Sequence, residues 1–373
     1  MRSKRAERDW KRRGQVSVTF NWIYILVAGA VILLFFVGII FKQKASAEQQ
    51  LSIEVVDILE SIFSGAQASE KTKTPIDTSG LADYTLYFKC EDKVTTYGIK
   101  DSSGSAEAPL APIFSPTELQ TPRLILWSLP YRLPYKITDF LLITSPNTKY
   151  FLIGDIKFAN EFINASDDPD PRNKINIEYV LAGDYAGIDA EGNYNVRVVD
   201  LDGSVVDASN PLPPGLLQME DLRVTGVSFR GNNVFFFHKK GSNWEAEGPV
   251  PIVSVDPVRD VAKYASIIAG SKQIYECNMQ KAFERASLVT RAYIGKTESL
   301  VSQYQDDPGA CLPFLQEGDK SAMTRIGLLQ GGLARCGNEL TYQLCSHDDL
   351  RNYAKDIQTR NEQLRTGACR TLY

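Results

Sequence analysis

From Gln15 to Phe41 the chain carries no Asp, Glu, Lys or Arg. A transmembrane helix needs about 20 apolar residues, and as a helix residues 18–41 would span roughly 36 Å. One charge at the centre of such a span costs about 3 kcal/mol, so a clean window of this length selects a bilayer-crossing helix. A cleaved secretory signal would have a shorter apolar stretch ending in small residues, whereas here Phe41 runs directly into Lys42, Gln43 and Lys44.

The flanks set the orientation. Residues 1–14 hold seven Lys/Arg against Glu7 and Asp9. The positive-inside rule places this end in the cytoplasm, and membrane lipid is then the partner of residues 18–41. Residues 42–373 are expected outside, in an extracytoplasmic position. Of the 41 Lys/Arg and 45 Asp/Glu in the chain, 34 and 43 lie beyond residue 14. An acidic remainder of this kind disfavours nucleic acid as a partner. All six cysteines (Cys90, Cys277, Cys311, Cys336, Cys345 and Cys369) fall on the same outer side. An even count in an oxidising compartment favours disulfides.

The expected organisation is α+β. It comprises a basic leader (1–14), a transmembrane helix (15–41), an amphipathic extension (42–65), a linker (66–82), a mixed, mostly antiparallel ectodomain (83–255) and a helical subdomain (256–373). In the extension, Leu51, Val55, Ile58, Leu59 and Ile62 share one helical face. Residues 66–82 are small and polar, with Pro75 and Gly80. In the ectodomain, β-rich runs are predicted at 84–90, 94–100, 123–129, 136–145, 149–155, 174–182, 194–203, 221–231 and 233–240, and a helix at 156–164. "FRGNNV" reads as a hairpin turn. A parallel doubly wound sheet is disfavoured because clear crossover helices are missing. Beyond 255 the period becomes helical. Asp256 with Pro257 is a start signal, Gly270 a break, and helices are expected at 275–304, 319–337 and 348–366 with Gly367 as C-cap.

If the helix at 275–304 runs antiparallel to that at 348–366, Cys277 meets Cys369 and Cys311 meets Cys345. Cys90 and Cys336 would then join the two domains or stay free. Six cysteines allow 15 connectivities, so this pairing rests on the helix arrangement alone. A zinc site at Cys336, Cys345 and His347 lacks knuckle spacing. With only His238 and His347 in the chain, any His-dependent catalysis must use one of them. "GVSFRG" has one residue too many for a nucleophile elbow. "SDDPDPRN" (166–173) and "DLDGS" (200–204) offer oxygen ligands without calcium-loop spacing, and turns account for both. No phosphate-binding glycine motif is present, so no cofactor is called for. Asn164-Ala165-Ser166 is a glycosylation sequon.

"KRRGQVSVTFNWIYILVAGAVILLF" resembles the class III signal peptides of archaea, the type IV pilin-like leaders. Lys11, Arg12, Arg13, Gly14, Gln15 and Ser17 carry the resemblance. It implies cleavage between Gly14 and Gln15 by a prepilin-type peptidase on the cytoplasmic side, with the helix retained. Other envelope proteins are then possible partners. Family members usually carry a glutamate five residues into the mature chain, and here Thr19 stands there. A buried amino terminus would lack its counter-charge, which argues against a major filament subunit. The resemblance covers about 30 residues and implies nothing about the ectodomain's activity. Three readings follow: a single-pass surface protein with a binding or structural role, a minor or tip pilin-like component, and a membrane-tethered hydrolase.

Overall fold

The computed structural model describes residues 53–68, 73–102, 104–190, 194–255, 260–305 and 311–373. The predicted anchor, the processing residues Gly14 and Gln15, and the start signal at Asp256 lie outside the described residues. Among those described, no helix is long and apolar enough to cross a membrane. Residues 56–101 and 105–373 form one compact unit.

Helix α1 (53–68) enters this unit through Val56, Leu59 and Phe63, all buried. Phe63 packs against the rings of Phe88 and Tyr97 at 6.3 and 5.0 Å between centroids. The inward face is therefore turned from the predicted one, and Ile58 is left 58% exposed. Residues 73–77, read as linker, form strand β1 (Lys73–Asp77). "KTPID" lacks β-rich composition, and pairing with a long neighbour supplies what propensity does not.

The strands follow in order: β2 (Leu86–Glu91), β3 (Val94–Ile99), β4 (Ser105–Ala108), β5 (Ile113–Phe114), β6 (Glu118–Leu119), β7 (Arg123–Arg132), β8 (Lys136–Thr144) and β9 (Thr148–Ile153). Helix α2 (Ile156–Ser166) precedes β10 (Asn176–Val180), β11 (Asn195–Asp200), β12 (Val224–Arg230), β13 (Asn233–Lys240) and β14 (Asn243–Pro251). The β2–β3 hairpin turns through Asp92 and Lys93, both at positive φ (47° and 63°). That is the left-handed geometry a two-residue hairpin loop demands. The predicted "FRGNNV" hairpin joins β12 to β13, with Gly231 at φ 61°.

Among the described residues the strands form three sheets, in the orders β1-β7-β8-β5, β4-β3-β2-β6 and β10-β9-β11-β12-β13-β14. Antiparallel pairing prevails in the first two, as expected. The six-stranded sheet departs from expectation, because β10, β9, β11 and β12 run parallel. Helix α2, expected at 156–164 but not as a crossover, is one: it carries the chain from β9 to its parallel neighbour β10. Asp155 caps it by accepting from the backbone of Lys157 and Phe158, and Phe158, Ala159 and Phe162 form its buried face.

Helices α3 (Val261–Ile268) and α4 (Lys272–Gln305) fill the space between two sheets. Tyr264 of α3 stacks near Trp127 of β7, and Tyr275 of α4 lies between Phe114 of β5 and Phe236 of β13. Elements on both sides of residue 255 thus share one core. Gly270 breaks α3 from α4, and a Cβ there would meet the Thr117 nitrogen at 2.6 Å.

The short α5 (Leu312–Gln316) leads to α6 (Ala322–Asn338) and α7 (His347–Thr366), with Gly367 capping α7. Gln330 bonds Ser287, and Gly337 abuts Glu284, so α6 runs antiparallel to α4. Arg325 pairs with Asp356, and Gly332 abuts Leu350, so α7 runs antiparallel to α6. The last helix is therefore parallel to α4, which overturns the expected cysteine pairing. Cys311 and Cys369 follow the ends of two parallel helices and form one disulfide. Cys336 and Cys345 close the α6–α7 turn. Cys277, at the start of α4, joins Cys90 on β2 across 187 residues. No cysteine is free.

Candidate functional site

The parallel half of the six-stranded sheet would ordinarily hold a ligand outside the carboxyl ends of its strands, where the chain direction of the connections switches. That switch lies between β9 and β11, and it is filled. Gly154 ends β9 at φ 98°, and a Cβ on it would fall 2.6 Å from Cγ of Asp202. Asp200, fully buried, accepts from the backbone of Ser204, Val205 and Val206 and from the Ser228 hydroxyl at 2.9–3.1 Å. "DLDGS" is thus a self-satisfied loop anchor.

The opposite end is open. A cleft of about 630 Å³ lies at the amino ends of β9, β11 and β12. Its walls come from the 116–122 loop, from Thr85 and Lys100, and from the 220–223 turn. A second cavity of about 460 Å³ shares Thr117, Leu222, Thr225 and Gly270 with it, so the two form one groove. Leu222 stands 83% exposed at the junction.

Arg197 lies at the base of the first cleft and is 3% exposed. It sits among the valines of "NVRVVD", on the face of the strand turned toward α3. There its guanidinium donates to the carbonyls of Ser266, Ile267, Ala269 and Gly270 at the carboxyl end of the helix. A cation at that end also answers the helix dipole. Burial lowers its pKa to about 10. Among the described residues no carboxylate reaches salt-bridge distance of it, but the Glu247 carboxylate acts on it through space and its guanidinium lies 5.7 Å from the Phe236 ring. At the rim, Lys100 pairs with Glu118 at 2.7 Å, and Arg223 holds the Tyr194 carbonyl at 2.7 Å.

The other end of the groove carries His238. Its Nε2 lies 2.8 Å from Glu245 and its Nδ1 3.8 Å from Glu247. Lys240 also holds Glu245, and Glu247 accepts from the Lys272 backbone. Neither His238 nor His347 is hydrogen-bonded to a hydroxyl or thiol among the described residues. His347 opens α7, while Ser346 provides the cap by accepting from Asp349. The disulfide between Cys336 and Cys345 takes both sulfurs from any zinc site there, and no metal-holding cluster occurs among the described residues.

The remaining sequence signals resolve locally. In "SDDPDPRN", Lys73 reaches across from β1 to hold the Ser166 and Asp167 carbonyls, and Asp170 engages Arg172. Asn164 is exposed on α2, whereas Ser166 is 2% exposed and donates to the Ile163 carbonyl. Arg197 and the groove were missed in the sequence. A lone arginine inside a β-branched run was the one available signal.

A smaller cavity of about 140 Å³ is lined by Asp260, Lys263, His347 and Arg351. Asp260 caps α3 through the Lys263 backbone, and burial raises its pKa from 3.8 to about 6. A folded-state value above the unfolded one means protonation favours the native state. This contribution is fully present below pH 3.8 and is lost as pH rises through about 6. Two units correspond to an effect on the order of 3 kcal/mol. Asp260→Asn keeps the capping oxygen and is expected to be more stable than the parent at pH 7. The two should converge near pH 4 in urea titrations. Parallel curves between pH 4 and 7 would count against this account.

No family model, curated protein or solved structure matches the chain.

Proposed function

We propose that this is a single-pass, membrane-anchored surface protein whose body works outside the cytoplasm as a binding module. The observation that carries the proposal is the pairing of all six cysteines into three disulfides. Such a set suits an oxidising compartment and is rare where thiols are kept reduced. The uncharged 15–41 window, with its basic cytoplasmic flank, supplies the anchor. The groove supports binding rather than turnover, because its polar groups hold one another and no nucleophile–base pair among the described residues lines it.

The test uses intact cells. The protein should resist carbonate extraction from membranes, and a membrane-impermeant maleimide should label it only after external reduction. Recovery in the soluble fraction, or labelling of free thiols without reduction, would sink the proposal.

A second reading is favoured by the "KRRGQVS" leader: processing between Gly14 and Gln15 as a minor pilin-like component. Amino-terminal sequencing of the native protein decides the cleavage. A chain that still begins before Gln15 rules it out, and presence in sheared filament fractions tests assembly.

A further inference from the structure

We infer that Asn164 carries an N-linked oligosaccharide, attached while the chain is still extended and before helix α2 forms. This rests on the reading of the chain as a surface protein and names a modification of its outer part.

Three observations carry it. The first is the acceptor side chain. Asn164-Ala165-Ser166 is the only Asn-x-Ser/Thr triplet in the chain, and its middle residue is not proline. Asn164 lies with Ile156 and Asn160 on the outward ridge of α2, at i, i+4 and i+8. Its side chain is exposed and makes no hydrogen bond among the described residues. A sugar on its amide nitrogen therefore displaces no contact of the fold.

The second is the place of the serine hydroxyl. Residues two apart lie on one side of an extended chain but about 200° apart around a helix. In α2, Asn164 faces outward, whereas Ser166 is 2% exposed and donates its hydroxyl to the Ile163 carbonyl. Lys73 of β1 then clamps the end of the helix through the Ser166 and Asp167 carbonyls. An enzyme that must hold the asparagine amide and the serine hydroxyl together reaches both on the extended chain and not on the folded helix.

The third is the order in which the partners of α2 are made. A helix of 11 residues is marginal on its own. Trp127 precedes it, but Tyr264 of α3 follows. The Tyr264 ring meets Phe158 and Phe162 at 5.8 and 5.0 Å between centroids, and its hydroxyl bonds Glu161, 103 residues earlier. Strands β10 and β11, which flank β9 in the sheet, are also made later. At about 5–20 residues per second, the triplet stays open for roughly 5–20 s after its synthesis.

The donor class is an oligosaccharide on a polyprenyl phosphate. The Asn164 Nδ2 attacks the anomeric carbon. A C–N bond forms as the bond from that carbon to the phosphate oxygen breaks. The lipid phosphate leaves with the electron pair, and the displaced amide proton passes to a base of the transferase.

The full-length protein is purified from its own cells, and the peptide bearing residue 164 is weighed by mass spectrometry. It should carry an added glycan mass that is absent from Asn164→Gln and Ser166→Ala and retained in Ser166→Thr. Asn164→Gln keeps an exposed amide and should keep the parent's circular dichroism spectrum, so its loss of glycan does not report misfolding. For the timing, membranes of the same cells with their lipid-linked donor are offered Glu-Phe-Ile-Asn-Ala-Ser-Asp-Asp or folded, unmodified full-length protein. The peptide should react at least about tenfold faster, because the folded form must first open α2. A native residue 164 without added mass overturns the inference, as does a glycan that survives Ser166→Ala or a folded protein that reacts at the peptide's rate. If the unmodified native chain also fails the maleimide test, the surface reading falls with it. If it passes that test, this inference falls alone.

Discussion

Replacing Cys90 and Cys277 together with alanine is expected to cost about 5 kcal/mol of unfolding free energy, from the chain entropy that a long loop regains. The bridge spans 187 residues and joins β2 to the second turn of α4. Its neighbours are themselves tied together. Thr95 donates to Asn278, Asn278 accepts from the Ile113 backbone, and Lys281 donates to the Ala108 and Ala111 carbonyls. Removing the bridge leaves this buried network in place, so the double variant should fold under mild conditions and unfold early. Urea titration should show the midpoint moving by roughly 1.5 M or more. The Cys336–Cys345 bridge closes only nine residues, and its removal should cost less because loop entropy grows with length. If the two double variants proved equally unstable, cross-linking through the unfolded state would not be the cause.

Asp200→Ala should be nearly as damaging, at about 4 kcal/mol. The carboxylate is inaccessible and accepts from three backbone N–H groups and the Ser228 hydroxyl. Truncation leaves those donors without an acceptor, and each buried orphan costs about 1–3 kcal/mol. The damage should centre on residues 200–206 and reach Trp244 and Phe237, which share a core with Val206. Hydrogen exchange of the Ser204, Val205 and Val206 amides is the direct reading. Unchanged protection there would show that the loop does not depend on Asp200.

Much of the sheet structure was legible because its residues are chemically loud. "KITDFLLIT" and "NVFFFHKK" announce β8 and β13 through branched and aromatic side chains. Strands β4 ("SAEA") and β14 ("NWEAEGPVP") did not, since alanine, glycine, glutamate and proline carry no such preference. They become strands because β3 and β13 offer them hydrogen bonds.

The helices show a different limit. Their periods located α4, α6 and α7, but period says nothing about which helix lies between which. With α6 placed between the other two, the ends that meet are those carrying Cys311 and Cys369. The groove was hidden for a related reason. Thr85, Thr117, Asn147, Arg197 and Leu222 come from separate segments, and no local spacing joins them.

The two long bridges also define a mechanical path. A pull applied between α1 and Tyr373 passes from Cys90 to Cys277 and from Cys311 to Cys369 through covalent bonds. The stretches between them, with sequence separations of 187 and 58, carry no load and cannot be drawn out. The six-stranded sheet lies within the first of these sheltered stretches. Under shear such a molecule would yield only short lengths of chain before its own cross-links stopped the extension, while the six-stranded sheet stayed folded.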